Sequence, residues 1–325
     1  MPFLLAFAAL FLLGSFAPPA LFSGPVAPID SVVHFRAVPL DRNNSDRRAI
    51  GGLRYLGGWE MRSDDPRFGG ISAMHVEGGE VIALSDAGSL IRFPLPRGRR
   101  VVATIQPLAD GPGDYRVKRD RDVESMVVHG GHAWLGFERR NAIWRYRLSD
   151  WRSDSNRRPQ AMRKWPRNAG AEAMVRLDDG RFIVFSEGRR RPDGSTEALL
   201  FARDPSRPGP PPTRFGYRAP SGYRITDAAL LPDGRLLLLN RRFTLVEAMS
   251  AKLVVVDPAV PEPGETMTGR EIATLARPLT VDNMEALSIT REGARTILWI
   301  ASDDNLAPFQ RSLLMKFALA DEPDR

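Results

Sequence analysis

Glu124, Glu172, Asp227 and Glu285 stand at one step of a stretch that recurs along the chain: Val123-Glu124-Ser125-Met126, Ala171-Glu172-Ala173-Met174, Thr226-Asp227-Ala228-Ala229 and Met284-Glu285-Ala286-Leu287. An earlier copy, Ile71-Ser72-Ala73-Met74, carries Ser72 at that step. A second set follows at the ends of the next apolar runs: Asp86, Glu138, Glu187 and Asp303, the last within Ser302-Asp303-Asp304-Asn305. Arg139, Arg189, Arg241 and Arg242 lie beside several of these acids. Carboxylates that converge repel one another, so they need cations, arginines or bound protons to coexist. The chain has no cysteine, and its four histidines, His34, His75, His129 and His132, lack the paired spacing of a zinc site. Oxygen-rich clusters of this kind suit calcium or magnesium. Asp86, Glu124, Glu172, Asp227, Glu285 and Asp303 are therefore the expected metal ligands. The structural alternative is that a recurring acid accepts backbone N–H groups between neighbouring units. Ser72, Ser85 and Ser302 are the available hydroxyls, and none sits in a Gly-x-Ser-x-Gly elbow.

What would bring these acids together is the repeat itself. Each unit has a short apolar strand, a turn such as Asp178-Asp179-Gly180 or Pro232-Asp233-Gly234, and a second strand such as Phe182-Ile183-Val184-Phe185 or Leu236-Leu237-Leu238-Leu239. That is hairpin grammar. Third strands follow, and fourth strands are expected at 101–105 and 271–275. Successive units start roughly 50 to 60 residues apart, the length of a four-stranded propeller blade with loops. The expected fold is an all-β propeller of five blades over residues 30–320, with 52–60 supplying the missing strand of the last blade. Such closure removes the exposed edges of an open array. Residues 32–38 suggest a six-bladed alternative. The basic, proline-rich stretches 152–167, 189–196 and 204–213 read as surface excursions. Equivalent positions in a propeller surround the central axis, so the recurring acids are expected to converge there.

At 325 residues, 43% hydrophobic and 26% charged, the chain can bury a large core as one domain. Its net charge of +7 is almost wholly arginine, since Lys118, Lys164, Lys252 and Lys316 are its lysines. Scattered arginines without a recognised motif argue against nucleic acid as a partner. Guanidinium forks match carboxylate and phosphate oxygens, which favours a small anionic partner. Residues 3–16 are apolar apart from Gly14 and Ser15, and Ala17-Pro18-Pro19-Ala20 follows. Residues 1–22 thus read as an export signal or an N-terminal anchor, although no basic residue precedes the run. The expected location is periplasmic or secreted, with membrane contact only through an uncleaved N-terminus, and the expected state is a monomer.

Phe68-Gly69-Gly70-Ile71-Ser72, Leu84-Ser85-Asp86-Ala87-Gly88, Glu124-Ser125-Met126, Glu172-Ala173-Met174 and Asn283-Met284-Glu285-Ala286-Leu287 together resemble the phytase-like bacterial proteins described as having esterase-like activity. The resemblance runs over about residues 52–319. It implies an exported propeller that hydrolyses phosphate or carboxylate esters with calcium, and places Glu124, Glu172, Asp227 and Glu285 in the catalytic role. Arg139, Arg241 and Arg242 would steady the anionic substrate. The near absence of lysine departs from the phosphate-binding pattern of propeller phytases. A non-catalytic propeller binding a ligand or partner is the other reading, since propellers host both.

Overall fold

A strand covered on both sides must be apolar at every position rather than at alternate ones. Leu236, Leu237, Leu238 and Leu239 illustrate this, each at most 1% exposed. Leu236 and Leu238 join a core with Phe185 and Phe215, whereas Leu237 and Leu239 join another with Leu298 and Ile300. Successive side chains of one strand thus bind its blade to the neighbours on either side.

The computed structural model describes residues 27–257, 262–307 and 309–320. The expected export segment, residues 1–22, lies outside them. The chain begins with β1 (Ile29–Ala37), β2 (Ala49–Ile50) and β3 (Leu53–Ser63). Blade 1 is β4 (Ile71–Glu77), β5 (Glu80–Ser85), β6 (Ser89–Pro94) and β7 (Arg100–Pro107). Blade 2 is β8 (Val123–His129), β9 (His132–Phe137), β10 (Ala142–Arg147) and β11 (Ser153–Arg157). Blade 3 is β12 (Ala171–Arg176), β13 (Phe182–Arg190), β14 (Thr196–Phe201) and β15 (Thr213–Tyr217). Blade 4 is β16 (Arg224–Leu230), β17 (Leu236–Thr244), β18 (Ala248–Val256) and β20 (Arg270–Leu275), with the short β19 (Thr266–Met267) lying parallel to β15.

Blade 5 takes β21 (Met284–Glu292), β22 (Arg295–Ser302) and β23 (Ser312–Leu319) from the C-terminal end and its fourth strand, β3, from the N-terminal end. The protein is therefore a five-bladed propeller whose last blade is sewn shut by both ends of the fold. The innermost strands β4, β8, β12, β16 and β21 pack successively in a ring, β21 returning to β4. A distinct apolar cluster fills each of the five junctions between blades.

Two expectations change. Residues 32–38 do not begin a sixth blade: β1 pairs antiparallel with both β3 and β7, joining the outer edges of blades 5 and 1. Val33 and Phe35 on its inner side enter the core between those blades, while Val32 remains exposed. The stretches 152–167 and 204–213 are also more than excursions. The first contains β11, and its Met162 and Trp165 are buried; the second leads into β15. Both fourth strands are outer strands, β11 polar throughout and β15 short and led into by a proline-rich run, which is why apolar periodicity does not reveal them. Among the described residues, no helix is long and apolar enough to cross a membrane.

Candidate functional site

Every innermost strand carries a β-bulge near its start, where two of its residues oppose one on the second strand. The extra residue is Ser72 in blade 1, Glu124 in blade 2, Glu172 in blade 3, Thr226 in blade 4 and Glu285 in blade 5. A bulge bends the strand and redirects a side chain out of the pleat. Just beyond the second-strand residue paired before each bulge come Asp86, Glu138, Glu187, Arg241 and Asp303. In four of the blades this residue's N–H donates to a carbonyl preceding the inner strand: Asp86 to Gly70, Glu138 to Asp122, Glu187 to Gly170 and Asp303 to Asn283. Five-fold repetition of local geometry thus places two tiers of side chains at one end of the axis. The sequence supplies acids at most positions and an arginine at one.

Blade 4 breaks the expected acid register. Asp227 is one residue past the bulge, equivalent to Ser125, Ala173 and Ala286, and Thr226 holds the position expected of it. The Asp227 carboxylate accepts the N–H of Ala228 at 2.8 Å and that of Leu287, on the next blade, at 2.7 Å. It performs the inter-blade tie that was the structural alternative for a recurring acid. Hydroxyls make similar ties elsewhere: Ser72 donates to Val123 O, Ser125 to Ala171 O and Thr226 to Met284 O.

The remaining acids interact across the axis. Glu124 is pushed well above the carboxylate range by burial, and then by the charges of Glu172, Asp122, Glu138 and Glu285. Burial raises Glu172 similarly, with Glu187, Glu138 and Glu285 adding to it. Glu138 is raised to about 8, chiefly by burial and then by Asp122, while a hydrogen bond with Glu172 and the charge of Arg139 act in the other direction. Glu285 rises to about 7 through burial, against the pull of Arg241. Burial, with Asp86 and Glu285, drives Asp303 well upward. Such groups hold protons near neutral pH unless a cation replaces them.

Protein cations answer part of this charge. Arg241 Nε lies 2.9 Å from Glu285 Oε1, and its Nη2 is 3.6 Å from Glu187 Oε1. Burial works against the Arg241 charge, but Glu285, Glu187 and Glu172 outweigh it and keep the guanidinium protonated. Lys118 Nζ reaches Asp86 Oδ2 at 2.5 Å, Arg139 Nε meets Asp122 Oδ2 at 2.9 Å, and Arg224 lies 3.3 Å from Glu187. Arg242 is not part of this group. Adjacent strand residues face opposite ways, and Arg242 stacks over Tyr223 at 4.8 Å and pairs with Glu247.

Asp122, Glu124 and Glu138 offer carboxylate oxygens that all lie within 4.8 Å of one another, a group able to chelate a metal ion. Three hard oxygen donors on one blade suit calcium or magnesium. Asp86 Oδ1, buried without a hydrogen-bond partner, is a further acceptor in the channel. Of the expected metal ligands, Glu124 belongs to the chelating trio. Asp86, Glu172, Glu285 and Asp303 surround the same axis and interact with its members or with one another, while Asp227 is engaged with backbone. Sequence reasoning missed Asp122 and Lys118. The Asp122-Val123-Glu124 spacing, two acids flanking one apolar residue at the start of a strand, is the signal that would have found Asp122. Lys118 comes from a short 3-10 turn, Lys118–Asp120, in the connection leading into β8.

A family model described as phytase-like, "Esterase-like activity of phytase", matches residues 66–306. A comparison with curated proteins finds no match. Among solved structures, the chain is similar to the major allergen Mala s 1 of Malassezia sympodialis, with 14% identity over 82% of this chain and 88% of that one and a TM-score of 0.46. It is also similar to a glucose dehydrogenase, with 10% identity, 81% and 98% coverage and a TM-score of 0.48. An α-L-arabinanase mutant of Cellvibrio cellulosa shows 14% identity, 74% and 88% coverage and a TM-score of 0.44.

Proposed function

The chain belongs to the phytase-like family, and from that premise and the acidic end of its axis we propose that it is a metal-assisted hydrolase of phosphate or carboxylate esters. The observation that carries this reading is the trio Asp122, Glu124 and Glu138, set among further buried acids and approached by Arg139, Arg241 and Lys118. Asp122, Glu124 and Glu138 would hold calcium. When bound, the ion supplies Lewis-acid polarisation of an ester or phosphoryl oxygen and neutralises the repulsion among the carboxylates.

The chain's own residues supply the rest. Glu138 and Glu172 share a hydrogen bond, and both have raised proton affinity. With Glu138 given over to the cation, a proton held at Glu172 near neutral pH can pass to a leaving oxygen and be recovered from water, the work of a general acid and base. Arg139 and Arg241 present guanidinium groups toward the acids of the site, and a substrate oxyanion there would share them. The arrangement favours a small anionic ester that arrives with or after the cation, because the acids alone would repel it. The apolar run at residues 3–16 and the small residues after it support action outside the cytoplasm, in the periplasm or as a secreted protein.

The test is turnover of p-nitrophenyl phosphate, p-nitrophenyl acetate and phytate by the purified protein, with calcium and with chelator. The expected result is calcium-dependent hydrolysis of at least one substrate that Glu138→Gln abolishes. Bound calcium without turnover of any of the three would leave a binding propeller and overturn the hydrolase reading.

A further inference from the structure

The loop that carries Lys118 and Asp122 to the axis also carries Arg121, whose side chain goes elsewhere. Arg121 is 4% exposed, yet its Nε and Nη1 are buried without hydrogen-bond partners, and it forms no ion pair among the described residues. Two glycines make room for it. A Cβ at Gly88 would stand 2.4 Å from Arg121 Cβ, and one at Gly111 would stand 1.7 Å from Nη1. Both have positive φ, +78° and +149°, so a larger residue there would be strained as well as blocked. The backbone holds the guanidinium in place; the charges of Asp110, Asp114 and Asp120 act on it from a distance, but none of these acids forms an ion pair or hydrogen bond with it.

Arg121 lines a cavity of about 460 Å³ beside blade 2, together with Trp144, Ser153, Ser155 and Asn156. Asp110 and Asp154 also border it, but their oxygens are engaged. Asp154 forms a two-pronged pair with Arg145, and Asp110 accepts the Ser153 N–H and pairs with Arg152. A guanidinium does not shed its proton in a protein, and a buried charge without a hydrogen-bonded partner is costly. Its planar fork fits two oxygens of one carboxylate or phosphate group. The exposed Asn156 amide adds a donor at the rim, and the Trp144 indole, half-buried, offers an apolar wall.

We infer that this cavity is a second ligand site, separate from the acidic axis, in which Arg121 binds the oxyanion of a small carboxylate or phosphate compound. The site depends on neither the metal nor the hydrolytic reading of the axis.

Calorimetric titration of the purified protein with inorganic phosphate, and separately with acetate, in chloride buffer containing chelator tests this. The wild-type chain should bind one anion. Arg121→Gln and Asn156→Phe, the second of which fills the cavity from an exposed position on β11, should each weaken binding about tenfold or more, the worth of a charge-assisted hydrogen bond. Response to phosphate alone identifies a phosphoryl ligand, and response to acetate alone a carboxylate. No binding of either anion overturns the proposal, as does unchanged binding by a folded Asn156→Phe. Should Arg121→Gln not fold, Asn156→Phe decides the matter, since Asn156 is exposed and outside the core.

Discussion

Raising the pH from 5 to 8 in the presence of a chelator should make this protein easier to unfold. Glu138, ordinarily near 4.5, is raised to about 8 in the folded chain, and Glu285 to about 7. A carboxyl whose folded proton affinity exceeds its unfolded one binds more protons folded than unfolded across the interval between the two values. Stability must then fall as pH rises through that interval. At about 1.4 kcal/mol per tenfold in proton affinity, Glu138 alone corresponds to roughly 5 kcal/mol and Glu285 to about 3 kcal/mol, complete above pH 8. His75 opposes them, because burial lowers its proton affinity and its contribution grows as pH rises through its ordinary 6.5. The arginine-paired carboxylates with lowered values, such as Asp65 and Asp114, have released their protons in both states by pH 5 and do not enter. The assay is urea denaturation at pH 5, 6, 7 and 8 for wild type and Glu138→Gln. The variant comparison cancels His75, and the wild type should lose about 3 kcal/mol or more relative to Glu138→Gln between pH 5 and 8. Calcium at a hundred times its dissociation constant should restore about 2.7 kcal/mol at pH 8. Equal slopes for the two proteins would refute the charge assignment at the axis.

Other consequences can be measured on the same protein. Asp227→Ala should cost about 2–3 kcal/mol in urea denaturation by stranding the amides of Ala228 and Leu287. It should leave calorimetric calcium affinity unchanged, whereas Glu124→Gln should weaken calcium about tenfold. Arg241→Gln should destabilise the chelated protein at pH 8 by about 3 kcal/mol or more, since it strips Glu285 of its guanidinium and leaves Glu187 with only the exposed Arg224. Arg242→Ala, which removes a stacking contact and a pair with the half-exposed Glu247, should cost about 1 kcal/mol or less on the same scale. Phe35→Ala should cost about 3–5 kcal/mol, because β1 inserts that ring into the core joining blades 5 and 1.

Much of the fold was legible because a propeller repeats its local grammar. Apolar strands alternating with Asp-Gly turns marked five units, and the leftover segment ending in Gly57-Gly58-Trp59-Glu60 marked the closing strand, which pairs with β23 as expected. The second tier of acids, Asp86, Glu138, Glu187 and Asp303, was also readable, since it follows a strand end in four of the five copies. What linear alignment did not yield is the one-residue offset in blade 4. Thr226-Asp227 looks like Val123-Glu124, and only the pairing of Asp227 with Leu239 shows that Thr226 is the bulged residue. A strand's side-chain period is two, so that single step turned Asp227 from the axis toward the Leu287 amide. The same alternation sent Arg241 to the carboxylates and Arg242 to Tyr223.

The repeat and the types of residue delivered to each copy are written in the chain alone, because strand and turn preferences act over a few neighbouring residues. Tertiary structure decided which of those residues share a charge environment. Asp122 gains its place beside Glu138 only when β8 pairs with β9, and Lys118 meets Asp86 only when blade 2 packs on blade 1. Proton affinity and metal chelation depend on distances across the axis, between residues far apart in the chain, and those distances exist only once the ring has closed.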